Sequence, residues 1–257
     1  MTRYLSLKRP DHEPPEGTRL FCFPYAGGGA SAYRRWQRGL DALDARVRVV
    51  PVQLPGREER YDEPRCTDLD ALVTDLDAQL DTELSEPHLL YGHSMGALIA
   101  SALVRRRHRR GAHLPLALVL SAYRAPHLPA PAMAHPDAGD QELAAALADL
   151  GGIPQALLDH PGFLSALLPV ARDDLRLCLS GTAEPPGPLP VPLHLFAGRA
   201  DRLVSVGEVL AWRRYAGAGH TARTLPGGHF FVREDESGFL RELAALTRRY
   251  ATERITA

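Results

Sequence analysis

The residues most able to do chemistry lie in Gly92-His93-Ser94-Met95-Gly96, a G-x-S-x-G pentapeptide. A serine hydroxyl is a weak nucleophile until a base takes its proton. The pattern acquires meaning only where the serine sits on a sharp turn between a strand and a helix. The flanking residues meet that condition. Leu89-Leu90-Tyr91 reads as a short strand, and Met95 to about Arg107 favours helix. Glycines flank the serine where side chains would collide, and the helix N-terminus behind it favours developing negative charge. Ser94 is therefore expected to attack a carbonyl and become acylated. The alternative is an inert serine in a glycine-flanked turn.

A nucleophilic serine needs a base and an acid that orients it, in the chain order serine, carboxylate, histidine for this kind of turn. The acid must follow a late strand. Asp201 does, just beyond Leu193-His194-Leu195-Phe196. After the earlier strand ending at Ser121 no acid appears until Asp137. Of the 11 histidines only His220 and His229 lie beyond Asp201. His220 enters the last strand and reads as a surface residue. His229 follows that strand and can swing over the serine, so it is the expected base. His93, inside the turn, is expected to pack rather than to catalyse.

Two backbone N–H groups must face the oxyanion that forms on attack. One is expected from Met95, next to the nucleophile. The other is expected from the loop Phe23-Pro24-Tyr25-Ala26-Gly27-Gly28, with Ala26 first and Tyr25 second. The same loop permits a rival. Gly27-Gly28-Gly29-Ala30-Ser31-Ala32 fits G-x-G-x-x-A, but a dinucleotide site also wants an acid at the end of the next strand, which here ends near Gln53. A further feature is the run Arg105-Arg106-Arg107-His108-Arg109-Arg110 at the end of the helix behind Ser94. Cations suit a helix C-terminus and a solvated face. The sharper reading of the run is a dock for an acidic protein.

The elements that must position these groups alternate. Strands are expected at Arg19–Phe23, Val47–Val52, Leu89–Tyr91, Leu116–Ser121, Leu193–Phe196 and Thr221–Leu225. Helices are expected from Ser31 to Leu40, along the apolar stripe Leu69, Leu72, Val73, Leu76, Leu80 and Leu84, after Met95, and from Phe239 to Tyr250. This rhythm predicts an α/β fold: a mostly parallel central sheet with helices on both faces. Arg124 to about Gly181 breaks it, with short helical patterns at Gln141–Leu150, Gln155–Leu158 and Phe163–Leu168. That stretch is read as an inserted helical lid, and Glu184–Pro192 as a proline-rich return.

The 257 residues suffice for a single domain over 1–257. Lys plus Arg (30) nearly balances Asp plus Glu (31), so charge gives no reason to expect nucleic acid. The three cysteines, Cys22, Cys66 and Cys178, match neither a zinc spacing nor a disulfide framework. Met1–Glu16 lacks an apolar leader core, and no apolar run is long enough to span a membrane. A cytoplasmic protein is expected, with no metal or cofactor in the chemistry.

Five motifs together resemble a known family: Phe23-Pro24-Tyr25-Ala26-Gly27-Gly28, Gln53-Leu54-Pro55-Gly56-Arg57-Glu58, Gly92-His93-Ser94-Met95-Gly96, Ser121-Ala122-Tyr123-Arg124-Ala125-Pro126 and Gly227-Gly228-His229-Phe230. Their order and spacing resemble the stand-alone type II thioesterases of polyketide and nonribosomal peptide synthesis, within the α/β-hydrolase superfamily. The resemblance implies an editing hydrolase that removes stalled or wrong acyl groups from the phosphopantetheine arm of acyl or peptidyl carrier proteins. It implies a transient carrier-protein partner, small acyl thioesters as further substrates, a monomer, and a flexible lid. By matching positions, Ser94, Asp201 and His229 carry the triad, and Met95 and Ala26 the oxyanion hole. The other readings are a carboxylesterase or acyltransferase on the same scaffold, or a non-catalytic binding protein that keeps the shell.

Overall fold

The structure is a computed structural model that describes residues 3–5, 17–131, 135–153, 155–181 and 187–251. The expectation about a leader in Met1–Glu16 lies outside the described residues except at 3–5, as do 132–134 of the expected lid, Pro154, and the start of the Glu184–Pro192 return.

Six strands form one sheet: β1 (Thr18–Phe23), β2 (Val47–Pro51), β3 (His88–His93), β4 (Ala117–Ser121), β5 (Leu193–Gly198) and β6 (His220–Leu225). All neighbours are parallel, in the order β2-β1-β3-β4-β5-β6. The inner strands are mostly apolar and buried at every residue but Arg19, because both faces are covered. Phe21, Phe23, Leu90, Leu118 and Leu120 pack on one side, and Leu20, Cys22, Leu89, Tyr91 and Val119 on the other. The first side is covered by α2 (Leu69–Gln79) and α3 (Met95–Arg109), the second by α1 (Trp36–Asp41) and, at the end of the chain, a long amphipathic helix.

Between β4 and β5 lie α4 (Asp140–Asp149) and α5 (Pro161–Ser180). Leu143, Leu147, Leu168, Ala171 and Leu175 give them a small core of their own. After β5 come α6 (Val206–Leu210), α7 (Phe231–Glu234) and the closing helix α8 (Glu236–Ala251).

Three helices depart from expectation. Ser31–Leu40 is not one helix but a 3-10 turn, Ala30–Tyr33, followed by α1. Ala30, Tyr33 and Trp36 are all buried, and a spacing of three suits the tighter turn. The Leu69–Leu84 stripe stays buried, but α2 stops at Gln79 and Leu84 sits in a separate 3-10 turn. The Ser85 hydroxyl there donates to the Thr82 carbonyl, the kind of local bond that competes with helix. Phe163–Leu168, expected as a short piece, is the first part of the 20-residue α5, which continues through Pro169. Pro169 faces solvent, whereas Leu168, Val170, Ala171, Asp174 and Leu175 are buried, so packing outweighs the lost N–H bond.

Candidate active site

The sheet order places the site. The chain leaves β1 toward β2 on one side and returns through β3 on the other, so a crevice opens beyond the carboxyl ends of β1 and β3. Phe23 is in register with Gly92. The glycine loop after β1 and the turn after β3 therefore emerge side by side.

Ser94 occupies that turn with φ of 53°, a conformation costly for a residue with a Cβ. It is held there by its own N–H, which donates to the Ser121 carbonyl at 2.8 Å, and by close packing of the glycines. A Cβ on Gly92 would run into the Gly96 carbonyl, and one on Gly96 into the Phe23 carbonyl. Helix α3 starts at the next residue, so Ser94 lies at its N-terminal end.

Asp201 lies just past β5 and His229 just past β6, as strand order required. Ser94 Oγ is 3.0 Å from His229 Nε2, and His229 Nδ1 is 2.9 Å from Asp201 Oδ2. The other carboxylate oxygen accepts the N–H groups of Leu203 (2.8 Å) and Val204 (3.0 Å). Asp201 is thus fixed on one side and free to orient the imidazole on the other. Both it and His229 are buried, while Ser94 is half-buried.

The remaining candidates fall elsewhere. His220 is exposed at the start of β6. Asp137 is on the surface and pairs with Arg176 at 2.9 Å. His93 is buried among Tyr25, Phe230, Phe231 and His229, with Nδ1 3.0 Å from Ser121 Oγ. Burial, reinforced by the nearby His229, holds it well below the usual histidine range, so it stays neutral. Tyr25 and Phe230 meet edge to face at 4.8 Å and continue into an adjoining cavity of about 620 Å³, whose walls include Gly151, Arg34, Arg35 and Arg233.

Among the described residues the N–H groups of Met95, Ala26 and Tyr25 donate to nothing within the chain. Those of Gly27 and Ser31 are taken, by Asp174 Oδ2 at 2.7 Å and by Glu58 Oε2 at 3.2 Å. These bonds argue against the dinucleotide reading, because two amides that would cradle a pyrophosphate already hold carboxylates. Arg57, Glu58 and Asp174 had no assigned role from sequence. Arg57 and Glu58 stand inside one of the five motifs, which was the only signal; Asp174 carried none.

The arginine run at the far end of α3 is largely spent inside the protein. Asp77 of α2 binds Arg106, Arg107 and Arg110 at 3.2, 2.8 and 2.7 Å, and Asp81 joins Arg107 and Arg110. Burial alone would raise the Asp77 carboxyl, but the guanidinium hydrogen bonds of Arg110 and Arg107 outweigh it and hold it below the usual carboxylate range. Fifteen helical residues also put this cluster roughly 20 Å from Ser94.

Residues 18–247 match the family described as thioesterase domain. Linear gramicidin dehydrogenase LgrE of Brevibacillus parabrevis is 34% identical, over 90% of this chain and 88% of its own length. The solved RedJ thioesterase from the prodiginine biosynthetic pathway of Streptomyces coelicolor is 37% identical with a TM-score of 0.83, covering 95% of this chain and 96% of its own. The type II thioesterase BorB from the borrelidin biosynthetic cluster is 32% identical with a TM-score of 0.80, covering 95% and 97%. In the fold just described, with relatives of this kind matched along nearly the whole chain, the protein belongs to the thioesterase family and is a hydrolase acting on thioesters, of the type II group within the α/β-hydrolase superfamily.

Proposed function

We propose that this thioesterase removes stalled or wrong acyl groups from the phosphopantetheine arm of carrier proteins in polyketide or nonribosomal peptide synthesis, through an acyl-Ser94 intermediate. The observation that carries the reading is the unbroken chain Ser94 Oγ–His229 Nε2 and His229 Nδ1–Asp201 Oδ2. His229 takes the Ser94 proton as Oγ attacks the thioester carbonyl. Asp201 keeps the imidazole in the required tautomer and stabilises its cation. The Met95 and Ala26 N–H groups face the oxyanion of the tetrahedral intermediate, assisted by the N-terminal end of α3. Collapse expels the thiolate, which takes the proton from His229 and leaves as the thiol. Water, activated by the same imidazole, then releases the acid and frees Ser94.

The segment 124–181, with α4 and α5, is read as the lid over the acyl group. Support comes from its separate small core and from Gly151, which shares a cavity wall with Tyr25 and Phe230.

The test is a hydrolysis panel of acyl groups on carrier proteins, on small thioesters and on simple esters. Carrier-bound thioesters are expected to turn over fastest. Preference for simple esters would replace the reading with a carboxylesterase. Fluorophosphonate labelling of Ser94, read as a mass shift, checks the nucleophile separately, and an unlabelled protein would make the fold a non-catalytic shell.

A further inference from the structure

The loop that bears Ala26 is gripped by charged side chains that take no part in the triad. Asp174, on α5, accepts the Gly27 N–H at Oδ2 (2.7 Å). Both its oxygens also accept from Arg57, Nη1 and Nη2 each donating at 2.7 Å. The same Nη1 donates to the Gly28 carbonyl at 3.0 Å. Gln53 secures the base of this arrangement, its Nε2 donating to the Arg57 carbonyl at 3.0 Å. Gly27 itself has φ of 76° and lies beneath Leu167 and Ala171 of α5, where an added Cβ would press on Leu167.

Arg57 and Asp174 are 6% and 1% exposed. A pair so buried is weak evidence of net stabilisation, because apolar residues of similar volume often serve the fold equally well. What apolar residues cannot supply is the set of bonds to the two peptides that follow Ala26. An oxyanion donor works only if its N–H is aimed before the reaction begins.

We propose that the Arg57–Asp174 pair is a positioning latch for the oxyanion hole: it fixes the Gly27 and Gly28 peptides so that the Ala26 N–H stays aimed at the Ser94 site. The proposal rests on the reading of Ala26 as an oxyanion donor. Because Asp174 belongs to α5, the latch also ties the aim of that donor to the seating of the helical segment. Withdrawal of α5 from the loop takes the carboxylate off Gly27 and slackens the donor. Arg57 and Asp174 act through the backbone and touch no substrate.

Arg57→Met/Asp174→Leu removes both charges together while keeping the volume filled. In the folded variant kcat for a small acyl thioester is expected to fall roughly 10²-fold, the scale of a lost or misaimed oxyanion donor. KM should stay within about threefold, since the lost interaction belongs to the transition state. A purely structural pair would leave kcat within about threefold of wild type once the unfolding midpoint is restored, and that result overturns the proposal. Should the double variant fail to fold, Asp174→Asn keeps the shape and decides the matter: a kcat loss of about tenfold or more at constant KM supports the latch, and an unchanged kcat refutes it.

The rate at which a fluorophosphonate labels Ser94 is read in parallel, since it needs the triad and the oxyanion hole but no thioester. Labelling of the wild type without thioester turnover would defeat the functional reading alone, and the latch would then stand or fall on whether labelling slows in the variants. No labelling of the wild type would defeat both.

Discussion

The two ends of the central sheet use buried polar groups in opposite ways. At the carboxyl ends, Ser94, His229 and Asp201 form a hydrogen-bonded chain, and among the described residues the N–H groups of Met95 and Ala26 in the adjoining turns donate to nothing within the chain. At the far end, Arg107 and Asp77 are as deeply buried, but their bonds run to Arg106, Arg110, Asp81 and the carbonyls of Leu84 and His113. His88 and His194, near the starts of β3 and β5, are also inside, His194 between Thr221 and Tyr250. The groups are chemically alike. At the carboxyl ends the N–H groups of Met95 and Ala26 bond nothing among the described residues, whereas at the far end most of the polar groups bond one another, His88 Nε2 and Arg105 Nη2 being exceptions. Burial alone therefore does not mark a site.

That contrast breaks most visibly at the nucleophile. Ser94→Ala should lower kcat by ~10⁴–10⁶-fold while the chain stays folded, by analogy with serine hydrolases in general. Steady-state hydrolysis of an acyl thioester measures it, and activity within a hundredfold of wild type would remove Ser94 from the mechanism.

Asp77→Ala should do the reverse, leaving the buried Arg107 with only the exposed Asp81 as a counter-charge. A loss of about 3–5 kcal/mol in urea unfolding is expected, with kcat of the folded fraction unchanged. An unaltered midpoint would mean that the far-end network is decoration.

The buried histidines make the far end sensitive to acid. Burial lowers His88 and His194 to about 4, from 6.5 for a free imidazole. Between those values the unfolded chain binds protons that the folded chain refuses, so stability is full above pH 6.5 and declines as pH falls toward 4. The slope is about 1.4 kcal/mol per pH unit for each histidine. Unfolding midpoints at pH 7 and pH 5 measure it, and His88→Gln should flatten the dependence. Equal midpoints in the wild type would place these side chains in water.

The smallest effect concerns strain. With φ of 53° at position 94, Ser94→Gly should be more stable than Ser94→Ala by up to about 1 kcal/mol. Paired thermal melts compare the two inactive variants, and a more stable alanine variant would show that the turn is relaxed.

Much of this was legible from the chain. Periodicity gave the six strands, and strand order chose Asp201 over Asp137 and His229 over His220. Less legible was anything that depended on which helix lies against which. A run of arginines reads as solvated surface until Asp77, some thirty residues earlier, is known to face it from α2. Phe163–Leu168 reads as a short helical piece until Leu168, Ala171 and Leu175 are seen to hold α5 together on both sides of Pro169. Glycines 27–29 read as a possible phosphate loop until Asp174 and Glu58 are found on the amides.

The sequence by itself determined the order of strands and helices and the three reactive residue types at the ends of particular strands. Those follow from local periodicity and from chain order, which short-range sterics and the parallel sheet enforce. Only the tertiary structure decided that Ser94 and His229, 135 residues apart, come within 3.0 Å, and that Arg57 and Asp174, 117 residues apart, close on Gly27 and Gly28. Side-chain hydrogen bonds act over about 3 Å, so their partners are chosen by the packing of whole elements and leave no periodic trace in the chain.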